Sequence, residues 1–64
     1  MLKNRLKEIR MREYMMSSIE FARMLDIKLS TYSRWEKGEN NPNLELAFEI
    51  AKKLNKEITE VWYQ

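Results

Sequence analysis

An all-α domain of five short helices is predicted for this 64-residue chain by three observations. It holds one glycine, one proline and no Val-Thr-Ile alternation, so the turns and the two-residue period of a sheet are both missing and a sheet is not expected. Apolar residues recur instead at the spacing of an α-helix. Residues suited to start or stop a helix stand between the recurrences.

Leu2, Leu6 and Ile9 fall at i, i+4, i+7 and predict a first helix from about Leu2 to Arg12. Ser17 or Ser18 can cap a second helix, which carries Phe21, Ala22 and Leu25 along one side. Asp26 then breaks it, at a point where a left-handed backbone suits aspartate. A third helix is expected from about Leu29 to Lys37, stopped by Gly38. Asn43, just after Pro42, can cap a fourth helix whose apolar stripe is Ala47, Ile50, Ala51 and Leu54, and Asn55 stands where helices often end. A short fifth helix, about Thr59 to Tyr63, carries Val61 and Trp62. With no repeat, linker or low-complexity run, residues 1–64 read as one domain.

A chain of this length buries only roughly 60% of the surface its unfolded form exposes, so its core is marginal. Such scaffolds usually need a staple. The absence of Cys and His removes disulfides and the usual zinc sites, which leaves helix packing or self-association as the support. The same absence leaves a catalytic triad or metal-assisted hydrolysis little to work with, and the carboxylates are scattered at helix-surface spacing, so no enzyme and no cofactor is expected. The opening MLKNRLKEIRMRE has no apolar run of signal-peptide length, and no segment nears the ~20 apolar residues that span a bilayer. A soluble, cytoplasmic protein is expected, with no small-molecule ligand indicated. Its net charge of +2 is unevenly spread: residues 1–38 carry +4 and residues 39–64 carry −2, as expected if one face meets an anion.

The segment STYSRWEKGENNP, Ser30 to Pro42, points to that face. At 100° per residue, Thr31, Tyr32 and Trp35 fall on one side of the third helix. Leu29, Ser30, Ser33, Arg34 and Lys37 fall roughly opposite. The first group is bulky enough to pack. The second is small or cationic, and a lean polar helix face fits the DNA major groove, where serine and arginine can meet base edges and leucine a thymine methyl. The spacing of Ala22, Asp26, Ile27, Tyr32 and Trp35 adds a geometric reason. Two helices that cross steeply need a small residue at the contact, a turn that tolerates positive φ, and apolar residues such as Phe21, Leu25, Ile27 and Tyr32 closing the wedge.

The stretch SSIEFARMLDIKLSTYSRWEKGENNP, followed by NLELAFEIAKKLNKEITEVW, resembles the lambda repressor/Cro-type helix-turn-helix family (Xre-like transcriptional regulators) over about residues 5–62. RWEKG, then Pro42, then a helix containing IAKKL, is its most specific part. The resemblance implies a compact five-helix domain whose third helix reads the major groove. It implies base-facing positions at Lys28, Leu29, Ser30, Ser33 and Arg34. It also implies backbone-positioning sites at Ser18, which opens the second helix, and at Lys37, Asn40 and Asn41 beyond the third. An Arg10–Glu36 pair pinning the third helix to the first is a further implication. The chain departs from the family pattern in having Ser18 for the usual Gln, Asp26 for Gly, Lys28 for a Ser or Thr cap, and one extra residue between its first two helices, within Met11 to Met16.

Lys3, Arg5, Lys7, Arg10 and Arg12 spread around a helix and read as a solvated face rather than a DNA arm. Met11, Met15, Met16 and Met24 read as core filler. Trp62 is placed in the core and Tyr63 outside it. The expected function is sequence-specific binding of double-stranded DNA by a homodimeric regulator, a repressor on a pseudo-palindromic operator. The other expectation is a protein-interaction module, such as an antitoxin-like partner built on the same fold, which predicts an exposed apolar patch and little salt-dependent DNA affinity.

Overall fold

Helix starts and stops follow local chemistry along most of the chain, of which the computed structural model describes residues 2–64. In chain order the elements are β1 (Lys3–Asn4), α1 (Leu6–Ile9) continued by a π-wound turn (Arg10–Tyr14), α2 (Ser18–Leu25), α3 (Leu29–Glu36), α4 (Leu44–Lys53), α5 (Ile58–Val61) and β2 (Trp62–Tyr63). Ser17, not Ser18, caps α2: its hydroxyl accepts from the Glu20 amide and the Glu20 carboxylate accepts from the Ser17 amide, a reciprocal capping box. Asn43 opens α4 by accepting from the Leu46 amide at 2.8 Å. α2, α3 and α4 end alike. Asp26, Gly38 and Asn55 take φ of 60°, 76° and 58°, and the next amide returns to a carbonyl five residues back: Ile27 to Ala22, Glu39 to Arg34, Lys56 to Ala51.

The two ends of the chain differ from the periodicity reading. The first helix begins at Leu6, not Leu2, and the last stops at Val61, short of Tyr63. The flanking residues form a small antiparallel ladder instead, with Lys3 opposite Tyr63 and Asn4 opposite Trp62. Strands of two residues are too short to show alternation, and their partners lie at the other end of the sequence. Trp62 is buried as expected. Tyr63 is half-buried rather than exposed, because the Arg5 guanidinium lies 4.0 Å over its ring.

Between the first two helices α1 widens into the π-wound turn, after which Met15 reverses the chain in the left-handed region (φ 51°). Of the methionines expected to fill the core, three do not. Met15 is 83% exposed, Met11 and Met24 are also exposed, and only Met16 packs against the core. Aromatic rings occupy the space instead. Tyr14, Phe21 and Tyr32 stack edge-to-face in sequence, with centroids 5.3 and 5.6 Å apart. Leu6 and Ile9 from α1, Leu25 from α2, Trp35 from α3, the α4 stripe and Val61 complete one continuous core.

Candidate nucleic-acid interface

The outward face of α3 is set by how the helix is held. Ala22, 1% exposed, gives α2 and α3 their close approach, and Asp26 to Lys28 make the turn between them. Tyr32 and Trp35 are buried and Thr31 is half-buried, which fixes the rotation of α3. At the far end, Glu36 accepts from Arg10 Nε at 2.8 Å and from the Tyr32 hydroxyl, while Arg10 Nη1 donates to the Met16 carbonyl at 3.0 Å. The pair implied by the resemblance is therefore formed, and it has a third member. The Glu36 hydrogen bond is the main reason the Arg10 guanidinium holds its proton more tightly than usual. Burial, and then Glu36, pushes the Tyr32 hydroxyl well above its ordinary range.

Two further ties were not legible in the sequence. Asn4 Nδ2 donates to the Trp35 carbonyl at 2.8 Å, while its Oδ1 accepts from the Leu6 amide at 3.0 Å, so one side chain joins the end of α3 to the start of α1. Lys53 donates to the Leu25 carbonyl at 3.0 Å, which places a cation on the C-terminal end of α2. An asparagine just before a helix hints at a cap, yet nothing in the sequence connects it to Trp35. Each tie spans helices far apart along the chain.

What α3 leaves outward is the predicted set. Lys28, Leu29, Ser30, Arg34 and Lys37 are exposed and Ser33 is half-buried on the same face. Lys28 begins α3 with extended backbone and no side-chain cap, so its ammonium is free of the helix. Ser18 is half-buried as the first residue of α2; beside it, amides of the first turn point toward the helix N-terminus, where an anion is favoured. Asn40 and Asn41 are exposed in the connection between Gly38 and α4. Among the described residues, no carboxylate pairs with Lys28, Arg34 or Lys37, whereas Arg10, Arg12 and Lys56 all form ion pairs elsewhere.

Asp26 is the exception on this side, an exposed carboxylate in the turn that leads into α3. Asp26→Gly is expected to raise stability by about 0.5 kcal/mol in denaturant titration. Relief of left-handed strain of about 1 kcal/mol is partly offset by the larger entropy of an unfolded glycine. The same change removes a negative charge from the cationic face, so affinity for a polyanion should rise with it. A loss of stability would show that the Asp26 side chain makes a contribution of its own.

Comparison with known proteins agrees with this architecture. A family model described as Helix-turn-helix matches residues 6–61. A protein of Archaeoglobus fulgidus, named an uncharacterized HTH-type transcriptional regulator, is 33% identical over 61 residues, covering 95% of this chain and 84% of that relative.

Proposed function

The chain belongs to the lambda repressor/Cro-type helix-turn-helix family, and from that premise we propose that it is a sequence-specific DNA-binding regulator of transcription. The observation that carries the reading is the outward face of α3: small hydroxyls and unpaired cations on a helix whose opposite face is locked into the core. A major groove admits such a helix. Ser30, Ser33, Arg34, Leu29 and Lys28 are the proposed base-facing residues, and Ser18, Lys37, Asn40 and Asn41 the proposed backbone contacts. The family is one of regulators and not of enzymes. No helix among the described residues is long and apolar enough to cross a membrane.

In this reading residues 1–64 act as one cytoplasmic domain, two copies of which sit on a pseudo-palindromic operator with half-sites about one helical turn apart. Repression follows if the operator overlaps a promoter. Selection from a random duplex library, followed by a salt titration on the selected site, tests it. Log affinity should fall linearly with log salt, by about 0.9 per phosphate neutralised. No enrichment of any sequence, or affinity indifferent to salt, would refute it.

One observation favours a second reading, a protein-interaction module: Leu44 and Phe48 are exposed together on α4. Retention on heparin separates the two readings. A chain that elutes at low salt cannot be using a cationic face on nucleic acid.

A further inference from the structure

The fourth helix is apolar around more of its circumference than one core requires. At 100° per residue its apolar positions, from Leu46 through Ile50, Leu54, Ala47 and Ala51 to Leu44 and Phe48, span roughly 200°, about twice the stripe of an ordinary core-facing helix. Ala47, Ile50, Ala51 and Leu54 are buried, whereas Leu44 is 70% exposed and Phe48 is 54% exposed. These two stand one turn apart on a single face. On one side of them runs a groove of 390 Å³ lined almost wholly by apolar surface, with Leu2, Pro42, Leu44, Ile58 and Trp62 among its walls. Further along the helix Phe48 borders a second groove, of 420 Å³, which shares Ile58 with the first and whose rim carries Lys52, Lys56, Glu57 and Glu60. An exposed apolar ridge with grooves along one flank is a shape that can pack against itself.

We propose that this face is where a second copy of the chain docks, with α4 packed antiparallel on its counterpart about a two-fold axis near Phe48. The charges beside the ridge decide the occupant. Glu45 lies three residues before Phe48 and Lys52 four residues after it, both on the flank next to the ridge. At 1.5 Å per residue they stand about 4.5 Å and about 6 Å from the axis, so the antiparallel arrangement sets each glutamate against the lysine of the other copy. The helix is thus acidic at one end and basic at the other in a pattern complementary to its own reverse. A standard interface of about 800 Å² per partner would take about one-sixth of the 4698 Å² that the chain exposes. The first groove also includes Asn41, in the connection assigned to the DNA backbone, so copies joined here would present their α3 helices from adjoining positions. The role on DNA rests on the function proposed above; the association of free chains does not.

Sedimentation equilibrium of the full chain, free and with the selected duplex, tests this. The wild-type mass should move with concentration from 7.9 kDa toward twice that value. Phe48→Glu should stay at the mass of one chain, keep its circular dichroism and bind a single half-site as wild type does. On the two-half-site duplex it should lose about 100-fold in affinity, within the range that linking two sites provides. Glu45→Lys and Lys52→Glu should each shift the equilibrium toward single chains, and the double variant E45K/K52E should restore association. A wild type that stays a single chain free and on DNA would overturn the proposal. So would a Phe48→Glu variant as dimeric as wild type, or a double charge swap no better than its singles. Any of these results, alongside intact half-site binding, leaves the DNA reading standing. Association that persists without DNA affinity would overturn that reading and leave this surface in place.

Discussion

Replacing either Arg10 or Glu36 by alanine is expected to cost about 3 kcal/mol of folding stability, the lower end of the cost of breaking a buried ion pair. The lower end applies because the two side chains keep 12% and 13% of their exposure. Without Glu36, Arg10 Nε loses its acceptor and the Tyr32 hydroxyl is orphaned inside the core. Without Arg10, the carboxylate keeps only the Tyr32 hydroxyl, and the Met16 carbonyl loses its donor. The double variant should cost clearly less than the two singles together, because the second substitution removes a group already stranded. Additivity within about 0.5 kcal/mol in denaturant titrations would show that the pair is not coupled. Tyr32 supplies an independent check through pH. Its folded-state pKa is raised, chiefly by burial, so the unfolded chain loses this proton first. The contribution is fully present below the unfolded value of about 10 and is lost as pH rises beyond it, at no more than about 1.4 kcal/mol per pH unit. Tyr32→Phe should flatten that alkaline loss while lowering stability at neutral pH.

Arg34 and Lys37 should differ in kind although both are exposed cations on one face of α3. Arg34 lies within the helix beside Ser30 and Ser33, where the face would enter the groove and a planar guanidinium can take a guanine edge in two hydrogen bonds. Lys37 lies just beyond the last helical residue, beside Gly38, where the chain reverses and a point charge on a phosphate suffices. Arg34→Ala is expected to cost about 1–3 kcal/mol on the selected duplex and to relax preference at one base pair. Lys37→Ala should weaken binding about equally on all sequences and lower the salt slope by about one unit. Binding to single-base variants of the duplex at several salt concentrations measures both. A uniform loss for Arg34→Ala, with base preferences intact, would make it a phosphate clamp and leave reading to Lys28, Leu29, Ser30 and Ser33.

The helix boundaries that could be read from the sequence are those set by neighbours in the chain. Asn43 and Ser17 act on amides three residues ahead, and Asp26, Gly38 and Asn55 act through their own φ. The proposed reading face was legible for the same reason. A wheel drawn from Leu29 to Lys37 already separates Tyr32 and Trp35 from Ser30 and Arg34, and the core buries the first pair. The Arg10–Glu36 pair could be named only through the resemblance, because 26 residues separate its members.

By itself, then, the sequence determined the helical class, the order of the helices, the stops of the middle three and the side of α3 that stays outward. Each depends on interactions within about one helical turn, whose partners adjoin in the chain. Tertiary structure alone decided the rest. It paired residues 3–4 with 62–63, drew Asn4 to Trp35 and Lys53 to Leu25, and brought Tyr32 into the Arg10–Glu36 pair. It also left Met11, Met15 and Met24 outside a core that aromatic rings had already filled. Hydrophobicity marks which residues can be buried, but the limited interior of a 64-residue chain admits only those whose helices bring them to the centre.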